Sequence, residues 1–300
     1  MLGRIPRAVA ERVRARRRPQ VANRFPLGHH YSPLPDNREL AAEPRRSQVW
    51  PPTPRETPGI AWRPEEQRRL ALDVFAAQER LRLARDETAD PTEYWSENAQ
   101  YPALDAWVLE AFLRHLRPAR MVEIGSGYSS LVTARVNREL LGGSMRFTCI
   151  EPHPPGFLTG SVPGVSDLRV EAVQDTPLEL FGELGPGDIL FIDTAHTVKT
   201  GGDVAWIFGE VVPRLRSGVV VHIHDAFIPG DYPQPWVLDG WGWNEIYLLR
   251  AFLAFNSEFE VLFGVQWMLQ NELAAMETAF PGVADPGERQ GSALWFQRRA

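Results

Sequence analysis

From Arg120 onward, short apolar runs alternate with helix-patterned stretches, and this rhythm constrains the fold of the 300-residue chain more than any other feature. Strands are expected at Met121–Ile124, Phe147–Glu151, Leu168–Val173, Ile189–Asp193 and Val219–His224. Helices fit between them at Ser130–Leu141, around Pro177–Leu184 and at Gly202–Leu215. Strand, helix, strand repeated in this way predicts an α/β fold with a doubly wound parallel sheet. A helix at Glu245–Phe255 precedes two last runs, Phe259–Phe263 and Ala293–Gln297. These are expected as an antiparallel pair at the sheet edge, separated by an excursion over 268–291.

The residues before Arg120 divide in two. Over 65–118, Leu70, Leu72, Phe75, Leu81 and Leu83 fit a helix ending near Asp90-Pro91, and a second helix runs from about Ala103 to Leu116, stopping before Pro118. Residues 19–64 hold ten prolines, which lack the N–H that regular ladders need. They also carry Phe25, Tyr31, Leu34, Trp50, Ile60 and Trp62, more large apolar groups than a pure linker, so part of this stretch is expected against the body. Residues 1–18 hold seven arginines against Glu11, which suits either peripheral contact with an anionic membrane or partner or a solvated, poorly ordered terminus. The expected organisation is therefore an irregular extension over 1–64, a helical cap over 65–118 and a ligand-binding domain over 119–300.

A net charge of -6 argues against a nucleic-acid binder. Lys199 is the single lysine among 32 basic residues, and Cys149 is the single cysteine. One cysteine excludes an intrachain disulfide and a multi-cysteine zinc site. No apolar run reaches the roughly 18–20 residues of a membrane helix, and no secretory signal is expected from the first residues. A reducing, cytoplasmic setting is expected.

The first strand runs into a glycine turn and a helix: Met121-Val122-Glu123-Ile124-Gly125-Ser126-Gly127-Tyr128-Ser129-Ser130. A dinucleotide site wants a third glycine where Ser130 stands, and a pyrophosphate has no use for a carboxylate just before the turn. Glu123 there suits a cationic ligand such as S-adenosylmethionine. The turn residues Gly125, Ser126, Gly127, Tyr128 and Ser129 are expected to approach it closely. Glu151, at the end of the second strand, is placed to accept ribose hydroxyls, and Asp175, after the third, to meet an adenine amino group.

The fourth strand ends in Asp193-Thr194-Ala195-His196 and the fifth in His222-Ile223-His224-Asp225. Ligand crevices in open α/β sheets lie beyond these carboxyl ends. Asp193, His196, His224 and Asp225 are thus expected to converge there. Methyl transfer to a hydroxyl needs such a set: aligned reactants and an acidified acceptor. A divalent ion, Mg²⁺ or Mn²⁺, on Asp193 and Asp225 would lower the hydroxyl pKa, and His196 would take the proton. His224 is expected either as a third ligand or as a group orienting the carboxylates, and, where no metal binds, as a base or donor beside His196. His222, in mid-strand, is expected as a satisfied core histidine. A non-haem iron triad of His222, His224 and Asp225 is disfavoured, because alternation puts Asp225 on the other face.

These stretches, together with Tyr31-Ser32-Pro33-Leu34-Pro35-Asp36, Pro58-Gly59-Ile60, His115-Leu116-Arg117-Pro118 and Trp243-Asn244-Glu245, resemble class I S-adenosylmethionine-dependent methyltransferases. More narrowly, they are similar to the bacterial group of methyltransferase domain family 24, over about residues 30–268. The resemblance implies a seven-stranded Rossmann-like sheet with the last strand antiparallel. It also implies Glu123, Gly125, Gly127 and Glu151 as cofactor contacts. The spacing Asp193-x-x-His196 resembles metal-dependent O-methyltransferases of the catechol and macrolide-sugar types. In those, the first residue binds magnesium and a base stands three later, while the pair after strand five is acid–acid or acid–amide rather than His224-Asp225.

The expected activity is O-methylation of a small hydroxylated metabolite, a sugar or natural-product scaffold. The alternatives are a metal-independent N- or carboxyl-methyltransferase, or a non-catalytic interaction protein on the same fold. Tyr232, Trp236, Trp241 and Trp243 suit either a substrate lid or a surface that packs the proline-rich extension onto the body. Tyr94, Asn98, Tyr101 and Asp105 are placed to reach the pocket from the helical cap.

Overall fold

The computed structural model describes residues 24–53 and 55–299, so the arginine-rich segment 1–18 lies outside the described residues. Helices α1 (Asn37–Ala41), α2 (Arg45–Val49) and α3 (Pro64–Arg69) lead to α4 (Ala103–Leu116). Then β1 (Arg120–Ile124), α5 (Tyr128–Leu140), β2 (Arg146–Ile150), β3 (Asp167–Arg169), α6 (Glu179–Gly182), β4 (Ile189–Ile192), α7 (Asp203–Trp206) and β5 (Val220–Ile223) follow. Helices α8 (Gln234–Leu238) and α9 (Glu245–Leu253), strand β6 (Phe259–Gly264), helices α10 (Val265–Asn271) and α11 (Leu273–Ala279), and strand β7 (Leu294–Arg298) complete the order.

The seven strands form one sheet in the order β3-β2-β1-β4-β5-β7-β6. The pairings β1 to β2, β1 to β4, β2 to β3 and β4 to β5 are parallel, while β7 lies antiparallel between β5 and β6. Order reverses between β1 and β4, which opens a crevice at their carboxyl ends. Both faces of the sheet are covered, so both parities of the central strands are largely apolar. Met121, Phe147, Phe191 and Trp295 join one core with α4 and α5, and Val122, Ile192, Ile223 and Phe296 join the other. Glu123 falls on the first of these faces, opposite Cys149 in the register, and is fully buried.

Several boundaries differ from expectation. The helix expected to run to Asp90 is α3 plus one π-helical stretch, Leu70–Phe75. Leu81 and Leu83 pack on the core from an irregular segment, where the Leu81 N–H donates to Glu110 and Ala84 bridges Trp95. Apolar spacing alone does not separate these two ways of burying leucines. The third strand stops at Arg169, and Val170 is 63% exposed at the sheet edge. The helix after β4 passes through π and 3₁₀ turns to Arg214, because Pro213 has no N–H to continue the ladder. His222 is a core residue, stacked on Phe191, but neither ring nitrogen has a protein partner, so it is not satisfied as expected.

The proline-rich stretch lies on the body. Trp50 Nε1 donates to the Tyr232 carbonyl at 2.8 Å, Asn37 Nδ2 to the Leu238 carbonyl at 2.7 Å, and Trp62 stacks on Trp267. Among the described residues, no helix is long and apolar enough to cross a membrane.

Candidate functional site

The turn after β1 is built by backbone contact. The Asp193 N–H donates to the Ile124 carbonyl and the Gly125 N–H to the Ile150 carbonyl. Gly125 has φ of +81°, and a Cβ there would stand 1.6 Å from the Asp193 carbonyl oxygen, so only glycine fits. Gly127 is extended, with nothing within 4 Å of where its Cβ would be. That leaves its backbone open to a ligand.

Glu123 does not line the crevice as expected. Its two carboxylate oxygens accept from Ser129 Oγ at 2.6 Å and Ser130 Oγ at 2.5 Å, and Ser130 Oγ in turn accepts the Gly127 N–H at 3.1 Å. Burial pushes its pKa up to about 8, against the lowering effect of both serines. Glu123 therefore fastens the start of α5 to β1, and Ser129 is spent in the same network. Tyr128 packs between Trp95 and Phe157. The Ser126 N–H faces Glu151 Oε2 at 3.3 Å.

A crevice of about 420 Å³ lies beyond the strand ends, lined by Gly125, Glu151, Gln174, Asp193, Lys199 and Asp203 among others. Glu151 stands at its edge, with Oε1 accepting from the His153 N–H. Asp175 is exposed and outside the lining. It ends a single 3₁₀ turn, Val173–Asp175, that puts Gln174 in the wall instead, with Nε2 donating to the Gly201 carbonyl at 3.0 Å.

Asp193, His196, His224 and Asp225 do converge. His196 Nε2 lies 3.2 Å from Asp193 Oδ1 and 3.6 Å from Asp225 Oδ2. His224 Nδ1 lies 3.5 Å from Asp193 Oδ1 and 3.6 Å from Asp225 Oδ2. Donor atoms of Asp193, His196 and Asp225 all fall within 4.8 Å of one another, a spacing that fits a bound cation. His196 and Asp225 both have φ of +51°, a conformation non-glycine residues hold only when their surroundings impose it. The Asn244 and Glu245 N–H groups at the start of α9 impose it on His196 by donating to its carbonyl.

Each imidazole is fixed from behind by a carboxylate. His196 Nδ1 lies 2.9 Å from Glu245 Oε2, and His224 Nε2 lies 3.2 Å from Asp105 Oδ2. Asp105 also accepts the Ser292 and Ala293 N–H groups, and Ser292 Oγ donates to Asp225 Oδ1 at 3.0 Å. Burial alone would lower the His196 pKa, but hydrogen bonds to Asp193 and Glu245 outweigh it and hold it raised to about 10. Burial likewise opposes protonation of His224, and the charges of Asp225 and Asp193 reverse the balance. Burial raises the Asp225 pKa. It works the same way on Asp193, but the His224 charge and the bonds from both imidazoles hold that carboxyl well below the usual range.

A second cavity, about 480 Å³, opens on the other side of this cluster, lined by His224, Asp225, Gln100, Trp236, Gln266 and Ser292 among others. Trp236 stacks on Trp241 and meets Phe227 and Trp243 edge-on, and Trp243 packs on the His196 ring. The aromatic segment walls this cavity through Trp236 and receives Trp50 from the extension at Tyr232. Tyr101 packs on His224, while Tyr94 and Asn98 bond backbone in the loop leading to α4. The sequence places Asp105 near the pocket and Glu245 at the start of a helix without pairing either with a histidine, and it does not single out Ser292. No local spacing signals such long-range pairs.

A family model described as a methyltransferase domain matches residues 122–226. An uncharacterised protein of Archaeoglobus fulgidus is 33% identical over 171 residues, spanning 55% of this chain and 76% of that protein. Among solved structures, the chain is similar to the O-methyltransferase TomG from Streptomyces achromogenes, solved in complex with SAM, at 17% identity and TM-score 0.41 over 66% of this chain and 81% of that one. It is also similar to a putative methyltransferase from Thermobifida fusca, at 16% identity and TM-score 0.40 over 84% of this chain and 100% of that one. With its matched domain and its strand order, this chain belongs to the class I S-adenosylmethionine-dependent methyltransferases, in the methyltransferase domain family 24 group.

Proposed function

We propose that this methyltransferase moves the methyl group of S-adenosylmethionine to a hydroxyl of a small acceptor held beside the Asp193–Asp225 cluster. One observation carries the proposal. The cluster stands between two cavities, with Asp193 lining the crevice behind the glycine turn and His224 and Asp225 lining the second cavity. In this reading Gly125 and Gly127 let the cofactor approach the backbone, and Glu151 accepts its ribose hydroxyls. The acceptor lies against Trp236, with its hydroxyl at the cluster. No lysine or arginine is among the described lining residues of that cavity, which favours an uncharged hydroxylated ring over a phosphorylated one.

Asp193, Asp225 and His224 would hold a divalent cation, which when bound acidifies a hydroxyl and fixes its position. The hydroxyl gives its proton to solvent, the methyl carbon–sulfur bond breaks and a carbon–oxygen bond forms. His196 is the base in the metal-independent alternative. Both its nitrogens face carboxylates, however, so the cation-dependent reading has better support here.

The test is an assay of S-adenosylhomocysteine release with a panel of methyl glycosides and catechols beside matched sugar phosphates, with EDTA or with added Mn²⁺. Mn²⁺-dependent turnover of a neutral acceptor is expected. Turnover confined to amines or carboxylic acids added to the same panel, and indifferent to EDTA, would establish the alternative instead.

A further inference from the structure

We infer that Asp193, His196, His224 and Asp225 together form a mixed nitrogen–oxygen site for a transition-metal dication such as Mn²⁺, Fe²⁺ or Co²⁺, in preference to Mg²⁺. The inference deepens the reading above and rests on its location of the cluster. Its basis is the spacing of the donors. One nitrogen of each imidazole lies 3.2–3.6 Å from one oxygen of each carboxylate, and donor atoms of Asp193, His196 and Asp225 lie within 4.8 Å of one another, with His224 beside them. Bonds of about 2.0–2.2 Å to one ion place adjacent ligand atoms at about 3.0–3.5 Å.

The outer contacts specify which nitrogen faces inward. Glu245 Oε2 on His196 Nδ1 and Asp105 Oδ2 on His224 Nε2 assign each imidazole's remaining proton to the outer side. The inner nitrogens, Nε2 of His196 and Nδ1 of His224, become lone-pair donors once a cation displaces their protons to solvent. A carboxylate behind a ligating histidine is the usual support of such a site, and here both histidines have one. Mg²⁺ prefers oxygen donors and keeps its waters, whereas imidazole shifts preference along the first transition row. His196 thereby becomes a ligand, and Glu245 and Asp105 become positioning residues.

The EDTA-treated full chain is titrated by calorimetry with CoCl₂, MnCl₂ and MgCl₂, alongside the visible absorption of the Co²⁺ sample and the binding of S-adenosylhomocysteine. One equivalent of Co²⁺ is expected, bound more tightly than Mn²⁺, with Mg²⁺ at least about a hundredfold weaker than Co²⁺. His196→Asn keeps a residue that tolerates left-handed backbone and is expected to weaken Co²⁺ binding and alter its spectrum. Glu245→Gln is expected to cost about 10- to 100-fold in Co²⁺ affinity with the metal-free melting temperature little changed. Equal affinity for Mg²⁺ and Co²⁺, or a Co²⁺ spectrum unmoved by His196→Asn, would overturn the site. Intact S-adenosylhomocysteine binding with no metal binding would overturn it and leave the methyltransferase reading in place. The expected metal binding without cofactor binding would support the site and overturn that reading.

Discussion

Asp105 near the start of α4 reaches His224 at the far end of β5, 119 positions along the chain, with Oδ2 at 3.2 Å from Nε2. The same carboxylate accepts the Ser292 and Ala293 N–H groups ahead of β7. One buried acid therefore ties the helical segment before the sheet, the last strand and the cluster together. Asp105→Ala leaves two backbone donors and an imidazole without their partner, each costing about 1–3 kcal/mol. A loss of about 3 kcal/mol in total is expected, read as a melting temperature lower by roughly 10 °C. A change under about 2 °C would contradict this role.

The two glycines of the turn separate folding from binding. Gly125→Ala puts a Cβ into the Asp193 carbonyl at a positive φ, so it is expected to lower the melting temperature by several degrees and abolish cofactor binding. Gly127→Ala meets open space on extended backbone. It is expected to melt within about 1–2 °C of the parent, with S-adenosylhomocysteine affinity reduced at least about tenfold. Equal thermal effects of the two substitutions would refute the distinction.

Glu123 gives the stability a pH dependence. Its folded-state pKa is raised to about 8, from an ordinary value of 4.5, by burial. A raised pKa means the fold binds the proton more tightly than the unfolded chain. This contribution is complete below about 4.5 and is lost as pH rises toward 8. Melting curves from pH 5 to 9 are expected to fall more steeply for the parent than for Glu123→Gln. Parallel curves would show that Glu123 is not the group responsible.

Trp236 is expected to act on the acceptor alone. Trp236→Ala removes a wall of the second cavity and leaves the crevice lining untouched. An acceptor KM raised about tenfold or more, with S-adenosylhomocysteine affinity within about twofold, is the expected pattern. A matching loss of cofactor affinity would place the acceptor elsewhere.

Much of the architecture was legible in the sequence because parallel strands buried on both faces are continuous apolar runs, and the turns between them carry glycine and acids at fixed places. Six of the seven strands lie where the apolar runs predict, the third keeps only Leu168 and Arg169 of its expected span, and α4 matches its own. The gathering of Asp193, His196, His224 and Asp225 followed from their positions at strand ends. What local pattern does not carry is direction and partner. Glu123 has the position of a ligand-facing acid, yet its parity in β1 turns it under α5, where Ser129 and Ser130 take both oxygens. Asp175 has the right count from β3, but one 3₁₀ turn exchanges it with Gln174. Leu81 and Leu83 continue the apolar run before them, but in a segment whose Leu81 N–H donates to Glu110 and whose Ala84 bridges Trp95. Glu245 and Asp105 pair with histidines 49 and 119 positions away, a relation set by the sheet order alone.

Calorimetric titration of the full chain with S-adenosylhomocysteine is the most direct test of the central claim, that the crevice behind Gly125 and Gly127 is a cofactor site. One equivalent bound at micromolar affinity, and weakened by both Gly127→Ala and Glu151→Ala, is the predicted result. No binding by the folded parent chain, with or without Mn²⁺, would contradict the account.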